Sequence, residues 1–262
     1  MMNLDPALAF RQEVERQIHR NGTSESFLQA SKAWMLESTL HRYSYCFSWL
    51  GRPIIQYPQD IVAFQEIVWS VKPDLIIETG VAHGGSLILS ASLLALLDYM
   101  DAVQSAKPLD PTRSRRKVVG IDVDIRRHNE EALRQHPLSH LITTITGSST
   151  DASIIEQVQR MSDSCQRVLV CLDSNHTESH VLDELEAYAP MVTPGSYCIV
   201  FDTVIEEMPK SMYPDRPWGP GDNPKTAVHK FVQENPAFTI DRSWQQKLML
   251  TVASDGYLKR LS

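Results

Sequence analysis

The chain has 262 residues and a formal charge of −7 at neutral pH, and 42% of its residues are hydrophobic. A chain of this length can form one large domain or one and a half ordinary ones, and the hydrophobic content is ordinary for a globular protein. The negative charge argues against general binding to nucleic acid or to an anionic membrane, although residues 113–117 contain a short basic cluster. The N-terminus shows no apolar signal core, and no run of about 18 apolar residues stands out as a membrane span. We therefore expect a cytoplasmic protein with no nucleic-acid or membrane partner.

The cysteines give no indication of a disulfide framework. Four are present, at positions 46, 165, 171 and 198, without a CxxC pair or a disulfide-like spacing. Cys171 and Cys198 stand within apolar runs, so we predict that they are buried thiols in strands. Free thiols agree with a reducing cytoplasm.

The first 58 residues are predicted to form a helical extension at the N-terminus. Residues 5–50 show helical apolar spacing, most clearly in AWMLESTLHRYSYCFSWL, and GRPIIQYPQD then breaks the pattern with a glycine and two prolines. Residues 59–262 are predicted to form the main domain. It should begin with a helix over DIVAFQEIVWSV that stops before Pro73.

From residue 75 onwards, short apolar strands alternate with helical segments. Strands that are apolar throughout and alternate with helices predict an α/β fold, a doubly wound and mostly parallel sheet covered on both faces. Two further strands near the C-terminus give an antiparallel finish. In such sheets ligands bind at the carboxyl ends of the strands, so the residues after each strand are informative. The five predicted parallel strands are LIIETG, KVVGIDVD, LITTITGS, RVLVCLD and GSYCIVFD.

The first of these strands ends in a glycine-rich turn, ETGVAHGGS, that we predict to bind a ligand. Its glycines allow a tight turn and let the backbone approach a ligand at a helix N-terminus. The alternative is a plain strand-to-helix turn that needs positive φ. The turn lacks both the GxGxxG spacing of dinucleotide sites and the Gly-Lys-Ser/Thr of a P-loop, which disfavours a nucleoside triphosphate. The candidate cofactor residues here are Glu78, Gly80, His83, Gly84 and Ser86.

The next two strand ends add features of a nucleoside site. Asp122 follows the second strand, where a carboxylate can accept hydrogen bonds from ribose hydroxyls. Ser148 and Ser149 follow the third strand and suit the lining of an adenine pocket. A glycine turn, an acid and small polar residues without a triphosphate cradle fit S-adenosylmethionine best.

At this point the sequence resembles the class I S-adenosylmethionine-dependent methyltransferases, and within them the cephalosporin hydroxylase family, which includes rhamnosyl O-methyltransferases. The resemblance covers roughly residues 49–260 and implies a Rossmann-like fold with a seven-stranded sheet and a divalent-metal site. Relatives tend to associate, which implies a homo-oligomer. The resemblance rests on IIETGVAHGGS, GIDVDIR, LDSNHTESHVLDEL, YCIVFDTVIEEMP, RPWGPGDNPKTAV and DGYLKR.

Asp173 and Asp202 end the fourth and fifth strands and are predicted to bind a metal ion together. Adjacent parallel strands lie about 5 Å apart, so the two carboxylates can converge on one cation, and hard oxygen ligands suit Mg²⁺. The alternative is that each aspartate only caps the next helix. The resemblance implies the same metal positions and a third ligand beside Asp202, but the neighbours here are Phe201 and Thr203. We therefore expect Glu206 as the third ligand, with Glu207 or water as alternatives.

His176, three residues after Asp173, is predicted to be the general base. A histidine with a pKa near ~6.5 can be neutral at cellular pH and can take a proton from a substrate hydroxyl. The alternative is an ordinary surface histidine, and His83 is a weaker candidate near the cofactor. Trp218 and Tyr213, in a proline-rich loop over residues 203–225, are expected to cover the substrate or to pack within the loop, and Asn175 to cap the next helix.

The leading functional hypothesis is a Mg²⁺-dependent O-methyltransferase that acts on a hydroxyl of a sugar or secondary metabolite. Asp173 would contact both cofactor and metal, Asp202 would complete the carboxylate pair, and His176 would remove the proton. Positioning of the reacting atoms would supply most of the acceleration. One alternative is a hydroxylase or oxidoreductase component, disfavoured because no two-His-one-carboxylate spacing is visible. The other is a non-catalytic scaffold that binds S-adenosylmethionine.

Overall fold

The computed structural model describes residues 5–262, and its N-terminal part contains two helices followed by a short hairpin. The helical prediction for residues 5–50 is wrong at residues 47–49, which form a strand. Leu50 and Gly51 both have positive φ, the geometry of a two-residue hairpin turn, so the chain reverses there instead of continuing a helix. The elements are α1 (Pro6–Thr23), α2 (Glu25–Leu40), a 3₁₀ turn (Tyr43–Cys46), β1 (Phe47–Trp49) and β2 (Arg52–Ile54).

The main domain is built on one seven-stranded sheet in the order β5-β4-β3-β6-β7-β9-β8. Strands β3 to β7 are parallel, and β9 runs antiparallel to both β7 and β8. The predicted doubly wound, mostly parallel sheet is therefore confirmed. The strands are β3 (Leu75–Thr79), β4 (Lys117–Asp122), β5 (Ile142–Thr146), β6 (Val168–Leu172), β7 (Tyr197–Val200), β8 (Phe238–Ile240) and β9 (Tyr257–Arg260).

The strand order reverses between β3 and β6. The chain runs from β3 outward through β4 to β5, and then returns to place β6 on the other side of β3. The crevice outside the carboxyl ends at such a reversal is the usual ligand site of an α/β sheet. The helices that connect the strands are α3 (Pro58–Val71), α4 (Gly85–Ser105), α5 (Arg127–Gln135), α6 (Ala152–Ser162), α7 (Glu178–Tyr188), α8 (Pro224–Glu234) and α9 (Ser243–Leu248).

Two apolar cores lie on opposite faces of the sheet because successive side chains of a strand point to opposite sides. Ile76 packs with α3 and α4 in one core, and its neighbours Leu75 and Ile77 pack with α6, α7 and α8 in the other. Cys171 and Cys198 are both buried and unpaired, one in each core, as predicted. The boundary at residues 58 and 59 stays a prediction, with α3 beginning at Pro58.

Helix α2 is joined to the main domain by a third, smaller apolar cluster. Met35 of α2 and Tyr57 pack there against Val204, Met208 and Val252. This cluster places the end of the N-terminal part beside the loop that follows β7. Residues that precede α3 in the sequence therefore cover one side of the carboxyl edge of the sheet.

Helix α4 is long and apolar enough, by length and composition alone, to cross a membrane. Its apolar side chains nevertheless serve the core, since Leu87, Ile88 and Leu94 are completely buried against the sheet. A core helix of an α/β fold meets the same length and composition criteria. The opposite side of α4 exposes Leu96 and Tyr99.

If α4 is a core helix, replacing Leu94 with alanine should cost about 2–5 kcal/mol of unfolding free energy, because a buried cavity is created. Leu96, two residues further on the exposed side of the helix and 51% exposed, is the matched control, and Leu96→Ala should change stability by about 0.5 kcal/mol or less. Urea denaturation followed by circular dichroism measures both. Equal losses for the two variants would contradict this packing.

Candidate functional site

The glycine-rich turn between β3 and α4 brings the backbone against strand β6. Gly80 has a φ of +88°, and a Cβ on it would lie 2.1 Å from the carbonyl oxygen of Asp173. Gly84 also has positive φ and caps α4, and a Cβ there would lie 2.7 Å from the Leu133 side chain. The plain turn interpretation therefore explains why these glycines are needed. It does not exclude a ligand role, because the turn also lines a cavity.

A cavity of about 430 Å³ lies at the carboxyl ends of the strands. Its walls come from the segment 53–64, the turn at 80–86 and the loop at 201–218. Most of the predicted cofactor residues line it, but Gly84 is buried behind the turn, and Ser148 and Ser149 do not reach the wall. Ser149 Oγ instead lies 3.2 Å from His180 Nε2. The predicted cofactor residues that line the cavity are Glu78, Gly80, His83, Ser86, Asp122 and Asp173.

Asp122 holds the glycine-rich turn in place. Its Oδ2 accepts hydrogen bonds from the backbone N–H groups of Val81 (2.8 Å) and Ala82 (3.2 Å). Its Oδ1 accepts one from Asp124 N–H at 3.1 Å. The carboxylate thus fixes the backbone between the first two strand ends while still facing the cavity.

Arg52 and Asn129 support the same turn from outside, and sequence reasoning missed both. Arg52 donates two hydrogen bonds to the carbonyl oxygen of His83, at 3.0 and 2.6 Å, and one to Asn129 Oδ1. Asn129 Nδ2 donates in turn to the carbonyl oxygen of Ala82 at 2.8 Å. The two residues are far from the turn in sequence, and neither belongs to a motif, so no local signal could have found them.

Asp173, His176 and Asp202 meet at the ends of β6 and β7. One ligand atom from each side chain lies within 4.8 Å of the others. His176 Nε2 is 3.1 Å from Asp202 Oδ2, while the backbone N–H of Asp173 donates to the carbonyl oxygen of Thr79. The structure therefore brings together the two carboxylates and the imidazole that the sequence placed after adjacent strands.

The electrostatics of this site favour the binding of cations. Burial raises the pKa of Asp173 well above its usual value, and the nearby charges of Asp202 and Glu78 raise it further. Burial also raises the pKa of Glu78 to about 7 and that of Asp60 to about 6. Carboxylates crowded in a poorly solvated site repel one another, and a bound cation relieves that repulsion. The oxygen-rich donor set fits a hard divalent ion.

The structure does not bring the predicted third ligand, Glu206, to this cluster. Glu206 Oε2 accepts hydrogen bonds from Gly221 N–H (2.7 Å) and from the side-chain amide of Asn223. Glu207 pairs with Lys225 Nζ at 2.7 Å and accepts from a serine hydroxyl. Phe201, directly before Asp202, packs among apolar side chains. Among residues 5–262, the side chain that joins the two aspartates in this cluster is therefore that of His176.

Aromatic side chains from the loop after β7 form the outer wall of the site. The ring of Trp218 meets that of His176 edge-to-face at 5.0 Å. The guanidinium of Arg216 lies 5.1 Å from the centre of the Trp218 ring. Tyr213 also lines the cavity, and burial, together with the charge of Asp202, raises its pKa to about 12. Trp218 and Tyr213 thus face the cavity, where an acceptor molecule could contact them.

Asn175 organises the turn before α7. Its Oδ1 accepts hydrogen bonds from the backbone N–H and the hydroxyl of Thr177, at 3.0 and 3.2 Å. The first backbone N–H of α7, from Glu178, donates instead to Asp222 Oδ1 at 2.7 Å. The prediction that Asn175 caps α7 is therefore wrong: its side chain holds the turn before the helix, and Asp222 accepts the first helical N–H.

Comparison with known proteins agrees with this architecture. The family model described as "Rhamnosyl O-methyltransferase/CmcI" matches residues 41–261. A rhamnosyl O-methyltransferase of Mycobacterium tuberculosis is 29% identical over 203 residues, covering 77% of this chain and 73% of the relative. The one of Mycobacterium leprae is 27% identical over 215 residues, covering 81% and 82%.

Solved structures of CmcI share the fold. The apo structure of CmcI-N160 has a TM-score of 0.56 at 19% identity, covering 83% of this chain and 77% of that chain. The structure of CmcI-D160 with Mg and SAM has a TM-score of 0.55 at 18% identity, covering 83% and 78%. The resemblance inferred from the sequence and the Rossmann-like fold are both confirmed.

The raised pKa of Glu78 predicts a specific pH dependence of stability. The carboxyl group has a pKa of about 7 in the folded protein and 4.5 as its ordinary value, so its contribution is fully present below pH 4.5 and is lost as the pH rises to 7. This loss is on the order of 3 kcal/mol. Glu78→Gln should therefore gain stability relative to the wild type across this range, measured by denaturant titration at several pH values.

Glu186→Gln, which removes a carboxylate from an exposed position of α7, is the matched control. Its stability difference from the wild type should stay nearly constant with pH. A constant difference for Glu78→Gln as well would show that the Glu78 carboxyl is not shifted in the folded protein.

Proposed function

Because the chain belongs to the rhamnosyl O-methyltransferase/CmcI family, we propose that it is a Mg²⁺-dependent, S-adenosylmethionine-dependent O-methyltransferase. The observation that carries the proposal is the meeting of Asp173, His176 and Asp202 beside the glycine-rich turn, in one cavity. The acceptor is a hydroxyl of a sugar or other natural product. In support, the curated relatives are named rhamnosyl O-methyltransferases, and one CmcI structure is described with Mg and SAM.

The glycine-rich turn and Asp122 form the cofactor side of the site. S-adenosylmethionine, when bound, supplies an electrophilic methyl group on a sulfonium. Because Gly80 has no side chain, the backbone can pass close to Asp173. The carboxyl group of Glu78 accepts a hydrogen bond from Ser86 and places a buried acid near the positive charges of such a ligand. Ser148 and Ser149 remain candidates for the adenine end, although neither lines the cavity as it stands.

Asp173 and Asp202 hold the divalent ion. That ion, when bound, lowers the pKa of an acceptor hydroxyl and orients it. Mg²⁺ prefers oxygen ligands and retains water, so two carboxylates with open positions suffice. Glu206 could join only by giving up its hydrogen bonds to Gly221 and Asn223. We therefore assign Glu206 to the support of the loop and leave the remaining positions to water and the acceptor.

His176 takes the proton of the acceptor hydroxyl. Its Nε2 lies 3.1 Å from Asp202 Oδ2, so the tautomer with a proton on Nε2 donates to that carboxylate and leaves Nδ1 free to accept. Asp202 thereby orients the imidazole and stabilises the imidazolium that forms. Imidazole is a poor ligand for Mg²⁺, which favours this role over metal binding. The remaining acceleration comes from holding the two reacting atoms in line.

The wall around this base suits a carbohydrate or polyhydroxylated acceptor. Trp218 offers an aromatic face next to His176, and aromatic rings commonly bind the apolar faces of organic ligands while polar groups fix their orientation. Association of the chain into a homo-oligomer stays a prediction, as does its cytoplasmic location.

Asp173→Asn should abolish methyl transfer that depends on Mg²⁺, because it removes a charged metal ligand. His176→Asn should lower kcat by about 10²–10⁴-fold with little effect on metal affinity, because general base catalysis contributes that much. The assay is mass spectrometry of sugar and polyphenol acceptors incubated with S-adenosylmethionine and Mg²⁺, scored by the gain of one methyl group.

The matched control is Asp183→Asn, which removes an exposed carboxylate from α7 and should leave turnover intact. Tight binding of S-adenosylmethionine without any effect of Mg²⁺ and without turnover on any acceptor would overturn the proposal in favour of a binding scaffold. Full activity in Asp173→Asn would refute the metal assignment.

Trp218→Ala should raise KM for the acceptor while the dissociation constant for S-adenosylmethionine stays constant, because Trp218 borders the side of the cavity next to the base. Trp69→Ala is the control, since Trp69 lies exposed on α3 and outside the cavity wall. Initial-rate kinetics with each substrate varied in turn separate the two effects. An unchanged acceptor KM would exclude Trp218 from the acceptor site.

A further inference from the structure

Asp60 is a buried carboxyl group that no part of the proposed reaction uses. It stands in the first turn of α3, is 1% exposed and borders the cavity. Three donors from the C-terminal segment point at it. Val252 N–H donates to Oδ2 at 3.0 Å, and the hydroxyls of Tyr257 (2.9 Å) and Thr251 donate to Oδ1. Because three hydrogen-bond donors from residues 251–257 converge on this carboxyl group, Asp60 fixes that segment in place.

The other side of Val252 binds the loop that carries Asp202. The carbonyl oxygen of Val252 accepts a hydrogen bond from Val204 N–H at 3.1 Å and another from Thr203 Oγ1 at 3.3 Å. Val252 thus links Asp60 to the two residues that directly follow Asp202. All of these groups except Asp202 are buried, so the link is shielded from competing water.

Asp202 needs such support because its backbone is unusual. Its φ is +55°, in the left-handed region that non-glycine residues rarely occupy. Residues in such conformations persist when the surrounding structure holds them. Asp202 lies two residues after the end of β7, and in this conformation its carboxylate lies beside His176 and Asp173.

We propose that Asp60 is a positioning residue that holds Asp202 in its metal-binding orientation through Val252 and residues 203–204. The inference rests on the proposed function, since it assumes that Asp202 binds the divalent ion. It goes beyond that function by assigning a role to a helix that lies far from Asp202 in the sequence. Supports behind metal ligands typically account for about 10–100-fold in metal affinity.

The test compares Asp60→Ala and Asp60→Asn for binding of Mg²⁺ and Mn²⁺ by isothermal titration calorimetry. Alanine removes every acceptor, so metal affinity should fall by about 10–100-fold while the dissociation constant for S-adenosylmethionine stays constant. Asparagine keeps one oxygen that can accept from Val252 N–H, so it should restore most of the affinity. Thr203→Val, which removes the hydroxyl on the other side of Val252, should also weaken metal binding without affecting the cofactor.

Asp74→Ala is the matched control. Asp74 Oδ2 also accepts two backbone N–H groups, from Gln166 and Arg167 at 3.2 and 3.0 Å, but it does so just before β3, at the opposite edge of the sheet. Its loss should lower the melting temperature and leave metal affinity unchanged. This separates general destabilisation from the specific loss expected at Asp60.

The possible outcomes are distinct. A wild-type chain that binds neither Mg²⁺ nor Mn²⁺ refutes the proposed function and with it this inference. A wild type that binds metal, with Asp60→Ala retaining wild-type affinity, overturns the inference alone. A parallel loss of metal and cofactor affinity in Asp60→Ala also overturns the inference, because that pattern marks a structural role. If Asp60→Ala fails to fold, the same parallel loss in Thr203→Val overturns it. Selective loss of metal affinity, restored by asparagine, supports it.

Discussion

The structure depends on a crowding of carboxyl groups at one edge of a parallel sheet. Strands β3, β6 and β7 are buried on both faces and end side by side, so the acids at or just after their carboxyl ends, Glu78, Asp173 and Asp202, lie around one space. Burial disfavours ionisation here, and the nearby charges of Asp202 and Glu78 add to it, so the pKa of Asp173 lies well above its usual value. An edge built in this way is stabilised by ligands that carry positive charge, which a divalent ion and a sulfonium both do.

Close backbone contact makes this crowding possible. Gly80 lets the turn after β3 pass directly beside the Asp173 carbonyl, and Asp122 then holds that turn through two backbone N–H groups. Arg52, from the N-terminal hairpin, anchors the outer side of the turn through the His83 carbonyl. The N-terminal part thus does more than precede the domain, since it helps to shape the edge at which the acids meet.

The proposed metal site also differs in detail from what the family resemblance led us to expect. Phe201 stands where a ligand beside Asp202 was anticipated, and Glu206 is held by Gly221 and Asn223 in the loop. The set that remains is two carboxylates with an imidazole bonded to one of them. The loop after β7, which carries Trp218 and Tyr213, then borders the acceptor side. In the proposed function, contacts to the acceptor and support of the metal ligands would therefore come from the same segment.

The pattern of apolar runs alone locates the strand ends and hence most of the residues proposed for the site. Continuous apolar runs that stop at a glycine or an acid identify buried parallel strands and their active edge, which is why the sheet, the glycine turn and the trio of Asp173, His176 and Asp202 were predicted. The hairpin at residues 47–54, the position of Glu206 and the roles of Asp60 and Arg52 were decided only by tertiary structure. Each depends on a hydrogen bond or a backbone reversal that a local sequence pattern cannot identify. Asp60, for example, accepts a hydrogen bond from Val252, which is 192 residues away in the sequence.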